Sequence, residues 1–205
     1  MKGSVTLNIS EIPERLRKQL DFMLELDKMK NLYRQTYVLN EDRKENDAEH
    51  SWHIAVLAFL LAEYSSENVN VTHVMKMLLL HDVVEIDAGD TYCYDSEANK
   101  TKAEREEKAA RRIFGLLPED QRDEYYALWR EFEDSETPEA RFAAILDRLQ
   151  PLMLNYTRSG QSWREHGVAK EQVLERNQMY FKDAEQLGEL IRLIISDAAD
   201  KGWLR

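Results

Sequence analysis

The stretch Leu78-Leu79-Leu80-His81-Asp82-Val83-Val84-Glu85 decides how the fold of this chain is interpreted. It has the pattern of an apolar helix in which two ionisable residues, His81 and Asp82, stand side by side. Burying a carboxylate without a partner is costly, so this face opens onto a cleft or binds something positive. Glu85 follows one helical turn after His81 on the same face. The stretch therefore predicts a buried helix with a functional site on one side.

Two other apolar segments each carry one residue of the metal-ligand type. His50 lies just ahead of the apolar run from Ile54 to Ala62, and Asp147 lies inside the segment from Ala143 to Leu149. With the His-Asp pair they give two imidazoles and two carboxylates, a mixed set that suits Zn, Mn, Co, Ni or Fe better than Ca. The candidate metal ligands are His50, His81, Asp82 and Asp147.

Each of these residues also has a purely structural interpretation. A single helical histidine is more often a core or surface residue than a ligand. Asp147 is followed by Arg148 and could form an ordinary solvated pair with it. The adjacency of His81 and Asp82, with Glu85 one turn away, favours the metal site.

The composition favours an all-α fold. The 205 residues include only 7 glycines and 4 prolines, and helix-forming residues dominate the chain. No repeat, linker or convincing run of alternating strand character is present. We expect a single helical domain over residues 1–205 with a buried central helix pair, a motif-bearing core at about 29–154 and C-terminal helices at about 169–200.

Periodicity and capping residues predict the individual helices. The second helix is apolar almost all round and should therefore be central. Asn46 with Glu49, and Thr101 with Glu104, resemble capping boxes. The expected helices run from a cap at Ser10 to about Met29, from Asp47 to Tyr64, from Thr72 through Val84, from Thr101 to Gly115, from Pro118 to about Glu133 and from Thr137 through Met153. The expected loops are Asn40 to Asp47, Asp87 to Lys100 and Gly160 to Gly167.

Charge and cysteine content restrict the class of protein. The net charge of −11 argues against binding of nucleic-acid polymers or anionic membranes, whereas a local cation could still attract a small anionic substrate. The longest apolar run, Ile54 to Ala62, is too short to span a bilayer, and residues 1–6 lack the apolar region of a signal peptide. The single cysteine, Cys93, excludes an internal disulfide and fits an unreactive loop thiol. We expect a cytoplasmic protein.

Taken in order, the motifs resemble the HD-domain phosphohydrolases. The run Glu45-Asn46-Asp47-Ala48-Glu49-His50-Ser51 is followed by His81-Asp82-Val83-Val84-Glu85, by Gly89-Asp90 and by Leu146-Asp147-Arg148. Within that family the chain is most similar to the 5′-deoxynucleotidase branch, which cleaves nucleoside monophosphates. The resemblance extends from about Met29 to Leu154. A bare His-Asp pair is a weak signal, whereas the ordered set is a strong one.

The resemblance implies a role for each motif residue. The four candidate ligands would hold one divalent ion, from among Co, Mn, Zn, Ni, Fe and Mg. Glu85 would orient water or accept its proton, and Asp90 would assist proton transfer to the leaving oxygen. Arg34 would contact the substrate phosphate. The implied partners are a nucleoside monophosphate and a second copy of the chain in a homodimer.

The chain departs from the branch at two positions. Gln35 stands where the branch carries a tryptophan linked to preference for deoxyribose, and Thr91-Tyr92 stands where a proline is expected after Gly-Asp. Gln35 is therefore a candidate substrate-binding residue that leaves the sugar preference open. Tyr33 or Tyr37 could supply an aromatic wall in place of the tryptophan.

Two other functions fit the same motifs. The site could hydrolyse another small phosphate ester or a pyrophosphate, or the chain could be a non-catalytic helical regulatory protein with a structural metal. Glu85 and Asp90 favour catalysis, because a structural site does not need two further carboxylates. No histidine lies between Asp82 and Asp147, which argues against dinuclear HD phosphodiesterases, and Ile86 after Glu85 argues against alarmone hydrolases.

Overall fold

The computed structural model describes residues 11–205 and is built almost entirely of helices. A two-stranded antiparallel sheet lies between the first two helices. Tight 3₁₀ turns occupy Asp27–Asn31, Ala62–Tyr64, His81–Val84 and Phe181–Asp183. The regular elements are α1 (Glu14–Leu26), β1 (Tyr33–Tyr37), β2 (Lys44–Asn46), α2 (Asp47–Leu60), α3 (Val71–Leu80), α4 (Glu85–Ala88), α5 (Ser96–Asn99), α6 (Lys102–Phe114), α7 (Glu119–Asp134), α8 (Pro138–Thr157), α9 (Gln161–His166), α10 (Lys170–Gln178) and α11 (Glu185–Asp200).

The larger core forms where α3 packs against α2 and α8. Val74 and Leu78 of α3 and Leu146 of α8 are fully buried there, which confirms the expected central helix pair. Helix α2 is part of this core through Ile54, although its Trp52 and Phe59 side chains are exposed. Helix α2 buries only one face against the core.

A second apolar cluster forms between α1, α6, α7 and the turn at His81–Val84. Phe22 and Phe114 meet there with ring centroids 6.4 Å apart, and Val83 and Val84 are buried in the same cluster. The turn that carries the His-Asp pair is therefore fixed by the cluster on one side and adjoins the larger core on the other.

Capping residues set the start of the two helices that matter most for the site. The Asn46 side chain accepts a hydrogen bond from the Glu49 amide, and the Glu49 carboxylate accepts one from the Asn46 amide. This capping box starts α2 as predicted. Thr137 accepts a hydrogen bond from the Ala140 amide and starts α8, with Pro138 at its first position.

Other predicted helix starts differ from the structure. Asn70 rather than Thr72 caps α3, and Thr101 makes no capping hydrogen bond, so the capping box predicted for α6 is absent. The predicted cap at Ser10 lies outside the described residues, within which α1 begins after Pro13. Asn and Thr are both common N-cap residues, so residue type alone does not decide between Asn70 and Thr72.

The expected loops contain regular structure. The stretch from Asn40 to Asp47 includes β2, whose pairing with β1 brings Tyr33 opposite Asn46. Two short strands give too little alternation to be recognised in the sequence. The segment between Gly160 and Gly167 is the helix α9, and both glycines have positive φ angles of 67° and 60°. Residues 96–99 of the expected loop between α4 and α6 form the short helix α5.

The stretch from Leu78 to Glu85 is not one continuous helix. Helix α3 ends at Leu80, residues His81–Val84 form a 3₁₀ turn, and α4 begins at Glu85. A 3₁₀ turn contains three residues rather than 3.6, so it changes the direction in which His81 and Glu85 point relative to each other. Within residues 11–205 no helix is long and apolar enough to cross a membrane.

Candidate metal centre and cleft

Three elements bring the four predicted ligands together. His50 comes from α2, His81 and Asp82 from the 3₁₀ turn, and Asp147 from α8. Asp147 Oδ1 lies 3.0 Å from His50 Nε2 and 3.6 Å from His81 Nε2. Asp82 places Oδ1 3.0 Å from His81 Nε2 and Oδ2 3.9 Å from His50 Nε2. The sequence separates His50 and Asp147 by almost a hundred positions, and the fold brings ligand atoms of His50, His81 and Asp147 within 4.8 Å of one another. Asp82 lies beside this group through its contacts with both imidazoles.

The spacing of these atoms fits a divalent cation. Two ligands that each lie about 2.1 Å from one ion are about 3.0 to 3.5 Å apart at octahedral to tetrahedral angles. His81 Nε2 is buried and makes no hydrogen bond, although a carboxylate oxygen lies beside it. An unpartnered imidazole nitrogen between two carboxylates is the arrangement that a transition-metal ion satisfies.

Hydrogen bonds fix the orientation of both imidazoles. His81 Nδ1 lies 2.8 Å from the carbonyl oxygen of Leu78, and His50 Nδ1 lies 3.0 Å from Gln150 Oε1. Both oxygens only accept, so each Nδ1–H donates and each Nε2 keeps its lone pair for a ligand. The Gln150 amide nitrogen in turn donates to Glu45 Oε1 at 2.6 Å, which holds the Gln150 side chain in place.

The electrostatics favour ionised carboxylates at this centre. Burial opposes the charge on Asp147, but the neighbouring His50 and His81 side chains outweigh it and hold the pKa of Asp147 well below its usual range. The pKa of Asp82 is lowered for a similar reason, since burial is outweighed by His81 and Arg34. The four candidate ligands therefore offer two carboxylates and two imidazoles to a cation.

A second acidic group adjoins the first. Asp47, Asp82 and Glu85 offer carboxylate oxygens within 4.8 Å of one another. Neither carboxylate oxygen of Asp47 has a hydrogen-bond partner, and burial together with Asp82 raises the pKa of Asp47 to about 7. Burial and Asp82 also raise the pKa of Glu85 well above its usual range. An all-oxygen group of this kind could hold Mg²⁺ or Mn²⁺.

The sequence reasoning missed Asp47, although a signal was present. Asp47 lies three residues before His50 in α2, and residues three apart share a helix face. An acidic residue at that spacing from a candidate ligand could have been recognised as part of the site. The pattern was hidden by the neighbouring acidic residues, Glu45 and Glu49, which have other roles in the structure.

Arg34 and Gln35 enter the site from β1. Arg34 Nη1 donates to Asp82 Oδ2 at 2.7 Å and lies 3.6 Å from Asp47 Oδ1. The Gln35 side-chain oxygen accepts a hydrogen bond from Lys44, which lies on the paired strand. The small sheet that the sequence did not predict is therefore the element that positions the two candidate substrate-binding residues.

A cleft of about 140 Å³ opens beside the predicted ligands. Asp147, Pro151 and Asn155 line it at four-residue intervals of α8, which corresponds to about 12 Å of helix length. Its lining combines acidic side chains with aromatic and amide side chains. The acidic residues include Asp82, Glu85, Asp90 and Asp147, and the aromatic and amide residues include Tyr92, Tyr94, Asn155, Trp163 and Asn177.

The aromatic wall differs from the one that the sequence suggested. Tyr33 and Tyr37 do not line the cleft; Tyr33 is exposed and the Tyr37 hydroxyl donates to Glu165 at 3.2 Å. Tyr92 and Tyr94 line it instead, and their ring centroids are 5.3 Å apart. Both follow Asp90 in the segment expected to be a loop.

Other cleft residues carry no sequence signal. They come from α6, α7 and α10, whose orientation toward the site depends on tertiary packing. Lys102 Nζ lies 3.4 Å from Glu106 Oε1, and burial raises the pKa of Glu106 to about 7. The remaining charged residues that the sequence reasoning missed are Glu133 of α7 and Arg176 of α10.

Comparison with known proteins identifies related sequences. A family model described as an HD domain matches residues 26–188. The human protein named 5′-deoxynucleotidase HDDC2 is 32% identical over 138 residues, which cover 67% of this chain and 66% of the relative. The mouse protein of the same name is 31% identical over 135 residues, which cover 65% and 66% respectively. The matched region thus spans about two thirds of these curated relatives.

Solved structures share the fold. A protein from Magnetospirillum magnetotacticum MS-1, described as a predicted metal-dependent phosphohydrolase, superposes with a TM-score of 0.88 and is 49% identical, covering 94% of this chain and 99% of the other. An HD-domain phosphohydrolase from Listeria innocua gives a TM-score of 0.61 at 18% identity, covering 88% and 89%. The second likeness concerns the fold alone.

Proposed function

This chain belongs to the HD-domain family, and on that premise we propose that it is a metal-dependent phosphohydrolase that releases phosphate from nucleoside 5′-monophosphates. The observation that carries the proposal is the cluster of two imidazoles and two carboxylates beside two further acidic residues, Glu85 and Asp90, in one cleft. The names of the curated relatives and of the Magnetospirillum protein support the same reaction class.

The predicted ligands, His50, His81, Asp82 and Asp147, would hold one divalent ion, from among Co, Mn, Zn, Ni, Fe and Mg. When bound, such an ion would supply Lewis acidity and neutralise the charge of the phosphoryl oxygens. The fixed imidazole tautomers and the depressed pKa of Asp147 support this assignment.

Glu85 is the group best suited to accept a proton from the attacking water. Burial and the neighbouring Asp82 raise its pKa well above the usual range, which makes its ionised carboxylate a stronger base than that of a solvent-exposed glutamate. The pKa of Asp90 is also raised, chiefly by burial, and its proposed role is to assist proton transfer to the leaving oxygen. Both residues line the cleft.

Arg34 is suited to orient the phosphate. Its Nη1 is held by Asp82 at 2.7 Å, whereas its Nε is buried and has no hydrogen-bond partner. A guanidinium that is anchored at one edge loses little further freedom when it binds an anion. The aromatic and amide side chains of the cleft, such as Tyr94 and Asn155, would then contact the nucleoside.

The direct test of this function is a panel of nucleoside 5′-monophosphates. Phosphate release is measured with the purified chain loaded with Mn²⁺ or Co²⁺, and a phosphodiester serves as the negative control. We expect release from the monophosphates and none from the diester. Stoichiometric metal binding without hydrolysis of any monophosphate would instead support the structural-metal alternative.

The sugar preference is expected to be weak. Gln35 lines the cleft where the related branch has a tryptophan, and the shorter side chain leaves room for a 2′-hydroxyl. Loss of steric exclusion alone changes preference by about 1–3 kcal/mol. We therefore expect activity on ribo- and deoxyribonucleoside monophosphates, with kcat/KM ratios below about 200 for each pair.

The matched variant for this prediction is Gln35→Trp, which should increase the preference for deoxyribose. The measurement is kcat/KM for each pair of ribo- and deoxyribonucleoside monophosphates, in the parent and in Gln35→Trp. A deoxy preference above about a thousandfold in the parent exceeds that range, and would assign the exclusion to another cleft residue such as Tyr92.

We further propose that the chain forms a homodimer. Helix α2 presents Trp52 and Phe59 to solvent at 64% and 56% exposure, and Leu60 adjoins them. An exposed apolar helix face is typical of protein–protein contacts. Light scattering should give twice the 24.1 kDa chain mass, and Trp52→Glu should give the monomer. A monomeric parent at micromolar concentration would refute the dimer.

A further inference from the structure

Arg176 lines the cleft from α10, beyond the segment that carries the motifs. Its backbone is fixed beside the metal centre, because Arg148, the neighbour of Asp147, donates Nη1 to the Arg176 carbonyl oxygen. Arg148 also stacks over the Tyr180 ring at 4.3 Å. This contact ties α10 to the ligand-bearing helix α8 at the level of Asp147.

The other cations of the cleft already have partners. Arg34 Nη1 lies 2.7 Å from Asp82 Oδ2 and Lys102 Nζ lies 3.4 Å from Glu106 Oε1. Arg148 is engaged by the Arg176 carbonyl and the Tyr180 ring. Among residues 11–205, the guanidinium of Arg176 has neither a hydrogen bond nor an ion pair within 4.0 Å. Its donors are therefore free for a ligand.

The charged residues of the cleft explain why an unpaired cation matters for the binding of an anionic substrate. Six acidic residues line the cleft beside four cationic side chains, so a phosphate dianion that enters it needs a cation that is not already paired with one of them. Burial acts against the charge of Arg176, but Cys93 and Asp147 outweigh it and raise its pKa. The carboxylates are Asp82, Glu85, Asp90, Glu106, Glu133 and Asp147, and the cations are Arg34, Lys102, Arg148 and Arg176.

We propose that Arg176 is a second phosphate-binding residue, whose guanidinium donates two hydrogen bonds to non-bridging oxygens of the phosphate ester while Arg34 binds from β1. The planar fork of an arginine matches phosphate oxygens in this way. The inference rests on the proposed phosphohydrolase function and adds a residue from the C-terminal part of the chain. Arg148 acts through Arg176 as a positioning residue, since it holds the Arg176 backbone.

The test uses inorganic phosphate as the probe and the Mn²⁺-loaded full chain. Isothermal titration calorimetry compares the parent with Arg176→Gln, Arg176→Lys and the charge-matched control Arg17→Gln, which changes an exposed residue of α1. We expect Arg176→Gln to weaken phosphate binding by about 10- to 100-fold, as for a lost charge-assisted hydrogen bond. Arg176→Lys should restore part of the affinity, and Arg17→Gln should match the parent. Metal content should be unchanged in all variants.

Kinetics give a second readout. If the parent hydrolyses nucleoside monophosphates, KM should rise in Arg176→Gln by a factor similar to the loss of phosphate affinity, while kcat changes less. If the parent hydrolyses none of them, the proposed function fails and phosphate affinity alone still decides the role of Arg176. The inference would be overturned if Arg176→Gln and Arg176→Lys were both folded and both bound phosphate within twofold of the parent. A parent that binds no phosphate would also overturn it.

Discussion

Asp147→Asn is expected to lose most of the bound divalent ion, and His81→Ala is expected to do the same. Asp147 Oδ1 lies 3.0 Å from His50 Nε2 and 3.6 Å from His81 Nε2, so it contacts both imidazoles of the centre. Asparagine removes the negative charge and halves the number of oxygen donors. Loss of an outer partner of a metal ligand already costs about 10–100-fold in affinity, and loss of a ligand should cost more.

Elemental analysis after dialysis measures this effect directly. The parent should retain about one ion per chain, and the ligand variants only a small fraction. Asp123→Asn is the matched control, because Asp123 is an exposed residue of α7 that pairs with Arg122. Thermal unfolding shows whether each variant is folded. A metal content equal to that of the parent in both ligand variants would contradict the assignment of these four residues as ligands.

Glu85→Gln is expected to lose hydrolysis by on the order of a hundredfold or more, as for a lost general base, while it retains metal and fold. Glu85 is almost fully buried and its pKa is raised by burial and by Asp82. A folded-state pKa above the unfolded one means that the ionised carboxylate destabilises the fold as pH rises through this range. The amide removes that charge, so the variant should be at least as stable as the parent at pH 8.

The stability measurement separates catalysis from folding in this experiment. Glu104→Gln, an exposed position of α6, is the matched control. Asp90→Asn should behave like Glu85→Gln, because Asp90 lines the same cleft and burial raises its pKa. If both variants hydrolyse substrate within a few-fold of the parent, other residues perform the proton transfers.

Local sequence signals predicted the cluster of His and Asp side chains and most of the helices. The adjacency of His81 and Asp82 gives two candidate ligands at once, and helix periodicity places Asp147 on a cleft-facing stripe with Asn155. The capping box of Asn46 and Glu49 sets the start of α2. These features depend on neighbours within a few residues, so they can be recognised from the sequence.

The remaining parts of the site depend on contacts between distant segments. Arg34 reaches Asp82 only because β1 pairs with β2, and strands of five and three residues give no clear alternation. Arg176 faces the cleft because Arg148 holds α10 against α8. The 3₁₀ turn at His81–Val84 forms where two apolar clusters meet. None of these arrangements follows from periodicity.

The central claim is that a divalent ion bound by His50, His81, Asp82 and Asp147 drives hydrolysis of nucleoside monophosphates. One measurement tests it most directly: phosphate release from thymidine 5′-monophosphate by the purified chain as loaded, after chelation, and after reloading with Mn²⁺ or Co²⁺. We expect the activity of the parent to disappear on chelation and to return on reloading. We expect no activity to return when Asp147→Asn is reloaded in the same way. Equal activity before and after complete removal of the metal, or full recovery in Asp147→Asn, would contradict the central claim.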